Sequence, residues 1–398
     1  MPTARLVPDV ISFNAAISAC EKRGQWQQAL TLLACMFIAR LTPDQITCNA
    51  AIGACEKGST WNAALSLLSR MPAMRAFPDL ISYGAAISAC ESALQWQQAL
   101  GLAAAMRERW LEPNGIMWGC VLSSMEKSGR SGKVLKLLRQ LHLQCAGSGK
   151  TTLPLPMLAG RHPDSRQYMA RPHVLLQAPG VVALFKQAGT TSEEMRDELS
   201  VFLQANGHAS DVSLVSRLDA PTSGVIPLAL GDAQSGAVRW LQLQFAARQV
   251  SKEYLCLCAG TSLGPAGSED EVDCPLLLAE GDREGQRVAM SPLGKEARTK
   301  FQVLEEFPVP EHEDVLILLR LQPQTGRKHQ IRAHLAGIGR PLVGDRAYGG
   351  ISSAGGVYFP RLFLHCLRLS LLDLAGARFE PRAPLPAELM EVLSSLRR

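Results

Sequence analysis

The sequence predicts a multidomain chain, an all-α solenoid of helical pairs followed by an α+β domain built on a mixed sheet. Three observations predict it. A motif recurs every 35 residues through the first 150. From about Arg171 the pattern changes to short β-branched and apolar runs separated by Gly, Pro and polar turns. The 398 residues, 47% hydrophobic and 19% charged, suit two or three domains with cores of their own rather than a disordered chain.

The repeat is read from its columns. Pro8-Asp9, Pro43-Asp44, Pro78-Asp79 and Pro113-Asn114 keep the step of 35, as do Trp26, Trp61 and Trp96. Ala-Cys-Glu recurs at Cys20, Cys55 and Cys90, where a small buried residue is expected. Each unit reads as two helices. Phe13, Ala16, Ile17 and Cys20 share one helical stripe, Arg23-Gly24 breaks it, and a second helix runs from Trp26 through Leu30 and Leu33 to Met36. Pro43 then blocks continuation and opens the next unit. Such pairs cannot bury their faces alone and must stack.

Charge is divided unevenly. Residues 1–150 hold 15 Lys and Arg against 9 Asp and Glu, whereas the rest hold 26 against 27. The basic excess lies wholly with the repeats, as expected of a part that meets a polyanion. Eleven cysteines without framework spacing read as free thiols in a reducing, intracellular compartment. Cys256 and Cys258 have no clustered partners, so no metal site is expected. No apolar run approaches the length of a spanning helix, so no membrane partner is expected. Patterned sequence begins by Pro8, and no targeting peptide is visible.

Residues 148–170 read as a linker. Gly147-Ser148-Gly149-Lys150-Thr151-Thr152 invites a phosphate-loop reading, but Gln144 stands where the first Gly belongs and Pro154 and Pro156 cannot open a helix. Nucleotide binding is not expected there.

In residues 171–395 the clearest strands are Val181–Phe185, Gly224–Leu230, Tyr254–Leu257 and Val315–Leu321, with a helix at Ala237–Arg248. Two segments carry chemistry. Ser216-Arg217-Leu218-Asp219-Ala220-Pro221-Thr222-Ser223-Gly224 sets an aspartate in a turn at a strand edge. Thr325-Gly326-Arg327-Lys328-His329-Gln330-Ile331-Arg332-Ala333-His334 concentrates cations. As a strand, it would turn Arg327, His329 and Ile331 one way and Lys328, Gln330 and Arg332 the other, and cations on both sides call for an anion. Ser262–Glu284, rich in Gly and acid, reads as a surface insertion without a role.

Two resemblances follow from these residues. Period, Pro-Asp boundary and helix pair over residues 8–147 resemble the pentatricopeptide (PPR) family, with the fourth unit degraded. That resemblance implies binding of single-stranded RNA one base per repeat. By the same resemblance the base would be read by Asn14 with Asp44 and by Asn49 with Asp79, a combination that in the family favours uridine. Gly84 with Asn114 and Gly119 with Gly149 offer no clear reading. A short amide can bond a base edge while a carboxylate holds it. Asp44 and Asp79 could equally serve as helix caps beside Pro.

Residues 171–395 resemble the RluA-type pseudouridine synthases. The motifs are Ser216–Gly224, Lys252-x-Tyr254-Leu255, Thr325–His334 with Pro341-Leu342-x-Gly344-Asp345 and Tyr348-Gly349, Leu364-His365-Cys366, and Val182–Gly189 with Lys186. The resemblance implies isomerisation of uridine to pseudouridine in RNA without a cofactor or metal. Asp219 matches the essential aspartate, which either attacks the sugar or removes a proton from it. Arg332 matches the arginine that keeps it ionised, with Arg327 the second candidate. Tyr254 matches the tyrosine that packs on the flipped base, and Arg217 would hold the RNA or fill the vacated space. Lys328 and His329 are expected on the RNA, His334 in a structural or phosphate role, and Lys186 in a turn or on phosphate, with a catalytic lysine as the alternative. Ser216, Gln187, Lys328 and Cys366 depart from the usual His, Pro, Thr or Ser, and Ala, and none removes a charged catalytic group. The expected partner is RNA, whether ribosomal, transfer or an organellar transcript. Three readings stay open for the whole: an active synthase with RNA-reading repeats, an inactive RNA clamp, and an active synthase whose repeats dock a protein. By resemblance the combination is compatible with a mitochondrion or chloroplast.

Overall fold

The computed structural model describes residues 8–147, 172–206, 211–278, 287–309 and 314–398. The chain divides into two compact units between Leu141 and His142, inside the last repeat helix rather than after it. The expected linker at 148–170, with Lys150 of the rejected phosphate loop, lies outside the described residues.

In the first unit four helical pairs follow one another: α1 (Val10–Lys22) with α2 (Trp26–Ile38), α3 (Gln45–Lys57) with α4 (Trp61–Arg70), α5 (Leu80–Ser92) with α6 (Trp96–Glu108), and α7 (Gly115–Lys127) with α8 (Ser131–Gly147). The fourth pair, expected to be degraded, forms fully. The reason lies in its columns. Ile17, Ile52, Ile87 and Leu122 are buried at one repeat position, Ala29, Ala64, Ala99 and Val134 at another, and Met36, Met71, Met106 and Leu141 at a third. The fourth unit loses consensus residues but keeps its apolar ones, and burial decides whether a helix holds. Asp9, Asp44, Asp79 and Asn114 each cap a first helix, their side chains accepting from the backbone N–H three residues on. Each cap is worth about 1 kcal/mol.

The second unit is built on a mixed sheet. Its strands are β1 (Val174–Ala178), β2 (Val181–Lys186), β3 (Val212–Leu214), β4 (Ser223–Leu230), β5 (Ser251–Gly260), β6 (Glu269–Asp273), β7 (Leu276–Leu278), β8 (Val288–Met290), β9 (Arg298–Pro308), β10 (Val315–Pro323), β11 (Ser353–Ala354), β12 (Val357–Tyr358), β13 (Leu364–Leu372) and β14 (Arg378–Phe379). Its helices are α9 (Ser192–Ala205), α10 (Gly236–Ala246), α11 (Gln330–Gly337) and α12 (Ala387–Leu396). The main sheet runs β1-β2-β4-β13-β5-β10-β9-β6, with β3 on β4 and β14 on β13. The five elements expected from the sequence are present, each with ends shifted by a few residues.

The register matters for function. One rung crosses four strands, pairing Gly224 with Cys366, Cys366 with Tyr254, and Tyr254 with Leu321. β4 and β13 run parallel while β13 and β5 run antiparallel, so the loop entering β4 opens beside Tyr254. Gly224 sits at φ +123, and a Cβ there would meet the Cys366 carbonyl oxygen at 2.2 Å. Only glycine permits that approach.

Two expectations are corrected. The basic segment is not a strand: Lys328 lies in a turn, His329 takes the left-handed φ of 51°, and Gln330–Gly337 is a helix. Ile331, Leu335 and Ile338 stand at helical spacing, and burying the first two on the sheet outweighs any alternation of cations. Ser262–Glu284 is more than an insertion. Within it β6 extends the main sheet along β9, and β7 pairs with β8.

Candidate active site

Asp219 lies in the loop before β4, its side chain 29% exposed. The sequence around it builds a rigid seat. Leu218 is tied to the first turn of α9, where the Ser192 hydroxyl accepts from the Leu218 N–H at 3.0 Å and donates to its carbonyl at 3.1 Å. Thr222 N–H donates to the Asp219 carbonyl at 3.0 Å and closes the turn. Beneath it, the wholly buried Lys186 ammonium donates to the carbonyls of Thr222 at 2.7 Å and of Ala220 and Gln187 at 3.0 Å. On the other flank, Lys252 Nζ donates to the Ser216 hydroxyl at 2.6 Å. Of the three roles expected for Lys186, the turn fits: all its bonds go to backbone carbonyls, and its burial leaves no room for a phosphate.

The cation facing Asp219 is Arg332. Its Nη1 stands 3.7 Å from Asp219 Oδ2, while Nε and Nη2 donate to the two oxygens of buried Asp345 at 2.7 Å each. This fork-on-fork pair fixes the guanidinium plane. The ring of Tyr348 covers it, 4.9 Å from Cζ. Burial alone would weaken the Arg332 charge, but the Asp345 and Asp219 carboxylates outweigh it and raise its pKa. Arg327, the second candidate, points elsewhere: its Nε donates to the Glu296 carbonyl at 2.9 Å and it is exposed. Helical geometry, unlike a strand, puts Arg332 inward and leaves Arg327 before the helix.

His329 Nε2 lies 4.0 Å from Asp219 Oδ2, so this residue faces the carboxylate as well as the opening where RNA was expected. Desolvation, only partly offset by Asp219, lowers its pKa and keeps the ring neutral near pH 7. Tyr348 OH accepts the Val288 N–H at 3.0 Å, leaving its hydrogen free for His329 Nδ1 at 3.1 Å. With the phenol donating to Nδ1, the neutral ring would carry its proton on Nε2, toward Asp219.

Tyr254 is buried on the rung beside Gly224 and Cys366. Burial first, and the Cys366 thiol next, push its phenol well above 10, so it stays protonated. Arg217 is 74% exposed, with Glu193 at 3.6 Å, and is free to reach a ligand. Lys328 is exposed, on a different loop. His334 is buried between the Thr299 hydroxyl and the Cys274 carbonyl, each 2.9 Å away, which makes it structural. Gln330 anchors the same turn, bonding Thr325, Arg327, Arg298 and Thr299.

In the first unit the paired residues do meet. Asn14 Nδ2 donates to both Asp44 oxygens at 3.2 Å, and Asn49 Nδ2 to Asp79 Oδ1 at 3.3 Å. Thr47 and Ser82 hydroxyls donate to the Asn14 and Asn49 carbonyls. Each aspartate is thus both a cap and an amide partner. Beside them the sequence reading missed a column. Ile11, Ile46, Ile81 and Ile116 recur at the step of 35 and are 75%, 63%, 66% and 77% exposed. Their signal was an apolar residue kept at an outward position in every unit. Asp345 and Tyr348 were likewise visible only as motif letters, without roles.

A family model described as RNA pseudouridylate synthase matches residues 180–337, and a PPR repeat model matches residues 11–38. The dual-specificity RNA pseudouridine synthase RluA of Escherichia coli K12 is 34% identical over 203 residues, covering 50% of this chain and 85% of that protein. The chain belongs to the RNA pseudouridine synthase family. An uncharacterised RNA pseudouridine synthase of Chloroflexus aurantiacus is 36% identical over 184 residues, 46% of this chain, and the chain spans 53% of that relative. A solved human structure, RNA pseudouridylate synthase domain containing 4, is 25% identical, with a TM-score of 0.45 over 56% of this chain and 93% of its own. The second unit is the synthase, and the first carries PPR-type repeats. Among the described residues no helix is long and apolar enough to cross a membrane.

The Lys186 seat has a measurable consequence for this synthase. Desolvation lowers the Lys186 pKa from 10.5 to about 8, against the pull of Asp219. Between those values the native state releases the proton that the unfolded chain keeps, so this group adds stability as pH rises from about 8 to 10.5. Activity should move the opposite way, falling through about pH 8 as the turn under Asp219 loses its cation. A pH–rate profile on wild type and Lys186→Gln checks this, and a limb at the same pH in the variant would dismiss Lys186 as its cause.

Proposed function

We propose that the synthase isomerises uridine in RNA with Asp219 as its catalytic carboxylate and that the first two repeats help choose the RNA. The observation that carries this is the placement of one partly exposed carboxylate against a buried arginine already committed to a second carboxylate. Asp219 stays partly exposed without collapsing into a closed ion pair, since Arg332 gives Asp345 its two short bonds and Asp219 only 3.7 Å. It is then available to attack the ribose or take a proton from it. Protonated Tyr254 forms an apolar wall for the uracil and a hydroxyl within its reach. Neutral His329 offers an N–H to the carboxylate. Arg217, exposed on the same loop as Asp219, enters the space from which the base is drawn. Lys328 and Arg327 belong to the rim that meets phosphate.

For the repeats, the exposed isoleucine column beside each Asn–Asp pair supports base binding: an apolar side chain covers the face of a base whose edge meets the amide. Release of tritium from RNA labelled at uridine C5 tests the activity, since C5 must lose its hydrogen when it joins the ribose. Absence of release from total cellular RNA would favour an RNA clamp. Asn14→Ala with Asn49→Ala should lower affinity for uridine-containing strands roughly tenfold and shift site choice, while leaving the Asp44 and Asp79 caps and the melting temperature in place. Asparagine is the residue to change, because replacing either aspartate would also break a cap. Unaltered site choice would point to a protein partner for the repeats.

A further inference from the structure

The repeats carry two columns of left-handed residues, and their side chains differ in kind. At the turn within each pair stand Gly24, Ser59, Leu94 and Gly129, with φ between 54° and 71°. At the junction between one pair and the next stand Arg40, Arg75 and Trp110, with φ of 57°, 60° and 60°. Antiparallel helices put these two sets of turns on opposite edges of the array. The junction edge is the one that bears the caps Asp44, Asp79 and Asn114 and the exposed Ile46, Ile81 and Ile116. The within-pair column is uncharged. The junction column is two cations and an aromatic ring.

This conformation suits glycine and disfavours a side chain, most of all a bulky one. Arginine and tryptophan at three successive junctions are therefore a cost to the fold that packing does not return. Trp110 is 94% exposed, and Arg40 and Arg75 are exposed without an acidic partner among the described residues. We propose that Arg40, Arg75 and Trp110 form a second RNA contact along the junction edge, the arginines on backbone phosphates and the indole stacked on a base. The occupant follows from chemistry: unpaired guanidinium groups seek a polyanion, and a bare indole seeks a flat π-face, and a single RNA strand supplies both at regular spacing. The column also accounts for the third repeat, where Gly84 and Asn114 lack the amide–carboxylate pair. There Trp110 would hold a base of any identity. The proposal rests on RNA binding by the repeats and adds a grip that is indifferent to sequence.

The test is the full-length triple variant Arg40→Gly, Arg75→Gly, Trp110→Gly, because glycine is the residue the backbone prefers. Its melting temperature should equal or exceed that of wild type. Its affinity for fluorescent oligouridine and for a mixed-sequence strand of equal length should fall together, about tenfold or more from the lost stack. The slope of log affinity against log salt should drop by about 1.4, from two phosphate contacts at roughly 0.7 each. Affinity and slope equal to wild type would overturn the proposal and leave base reading by Asn14 and Asn49 untouched. Wild-type binding that is unaffected by both the glycine and the asparagine variants would overturn RNA binding by the repeats altogether. Loss confined to oligouridine would also overturn it, since the column would then be reading bases.

Discussion

Asp219→Ala should abolish tritium release, by at least about 10³-fold, while RNA binds as it does to wild type. The side chain is partly exposed and makes no short hydrogen bond among the described residues, so its removal leaves little unsatisfied. The turn is held instead by backbone carbonyls on Lys186 and by Leu218 on Ser192, none of which involves the carboxylate. Folding should therefore survive, and the melting temperature should match wild type within a few degrees. Any change should be a small loss, since the carboxylate favours the charges of buried Lys186 and Arg332, and both cations keep other partners. Substantial release from Asp219→Ala would assign the chemistry to another group, with neutral His329, 4.0 Å away, the first candidate.

Asp345→Asn should act the other way, destabilising the fold as well as slowing the reaction. Asp345 is 2% exposed and receives two bonds from an arginine whose side chain is 7% exposed. Removing one member of a buried pair leaves the other charge uncompensated and costs about 3–5 kcal/mol. Denaturation by urea should show this as a lower midpoint at an unchanged slope. The loss of activity has a separate origin. Without Asp345 the guanidinium is free to close the 3.7 Å to Asp219 and hold the carboxylate in a tight pair, away from ribose. Removing both partners, as Asp345→Asn with Arg332→Met, separates the two effects. Much of the stability should return, because no unpaired charge is left buried, but activity should not. Recovery of both would mean that Arg332 only supports the fold.

Much of this protein was legible in its sequence, for reasons that differ between its halves. In the first, each unit buries the same columns against its neighbour, so the 35-residue period and the Pro-Asp caps are local facts repeated, while the pairing of Asn14 with Asp44 and Asn49 with Asp79, 30 residues apart, came from the resemblance to PPR repeats. In the second, the turn bearing Asp219 and the strands around it announce themselves through β-branched runs and punctuating Gly and Pro. The segment around Arg332 did not. Its cations suggested alternation, whereas the apolar spacing of Ile331, Leu335 and Ile338 made it a helix, and that choice turned Arg332 inward and left Arg327 on the Glu296 carbonyl.

The sequence by itself determined the order of the two regions and the elements that bury apolar faces, and its motifs marked Asp219, Tyr254 and the pair Arg332 and Arg327 as candidates. Only the tertiary structure decided which arginine meets the carboxylate, that Asp345 shares it, that Lys186 lies beneath the turn, and that Arg40, Arg75 and Trp110 fall on one edge. The division has a physical cause. Periodicity and turn chemistry act between residues a few places apart, whereas a charge finds its partner through space, and the 126 positions separating Asp219 from Asp345 carry no period that could announce their shared arginine.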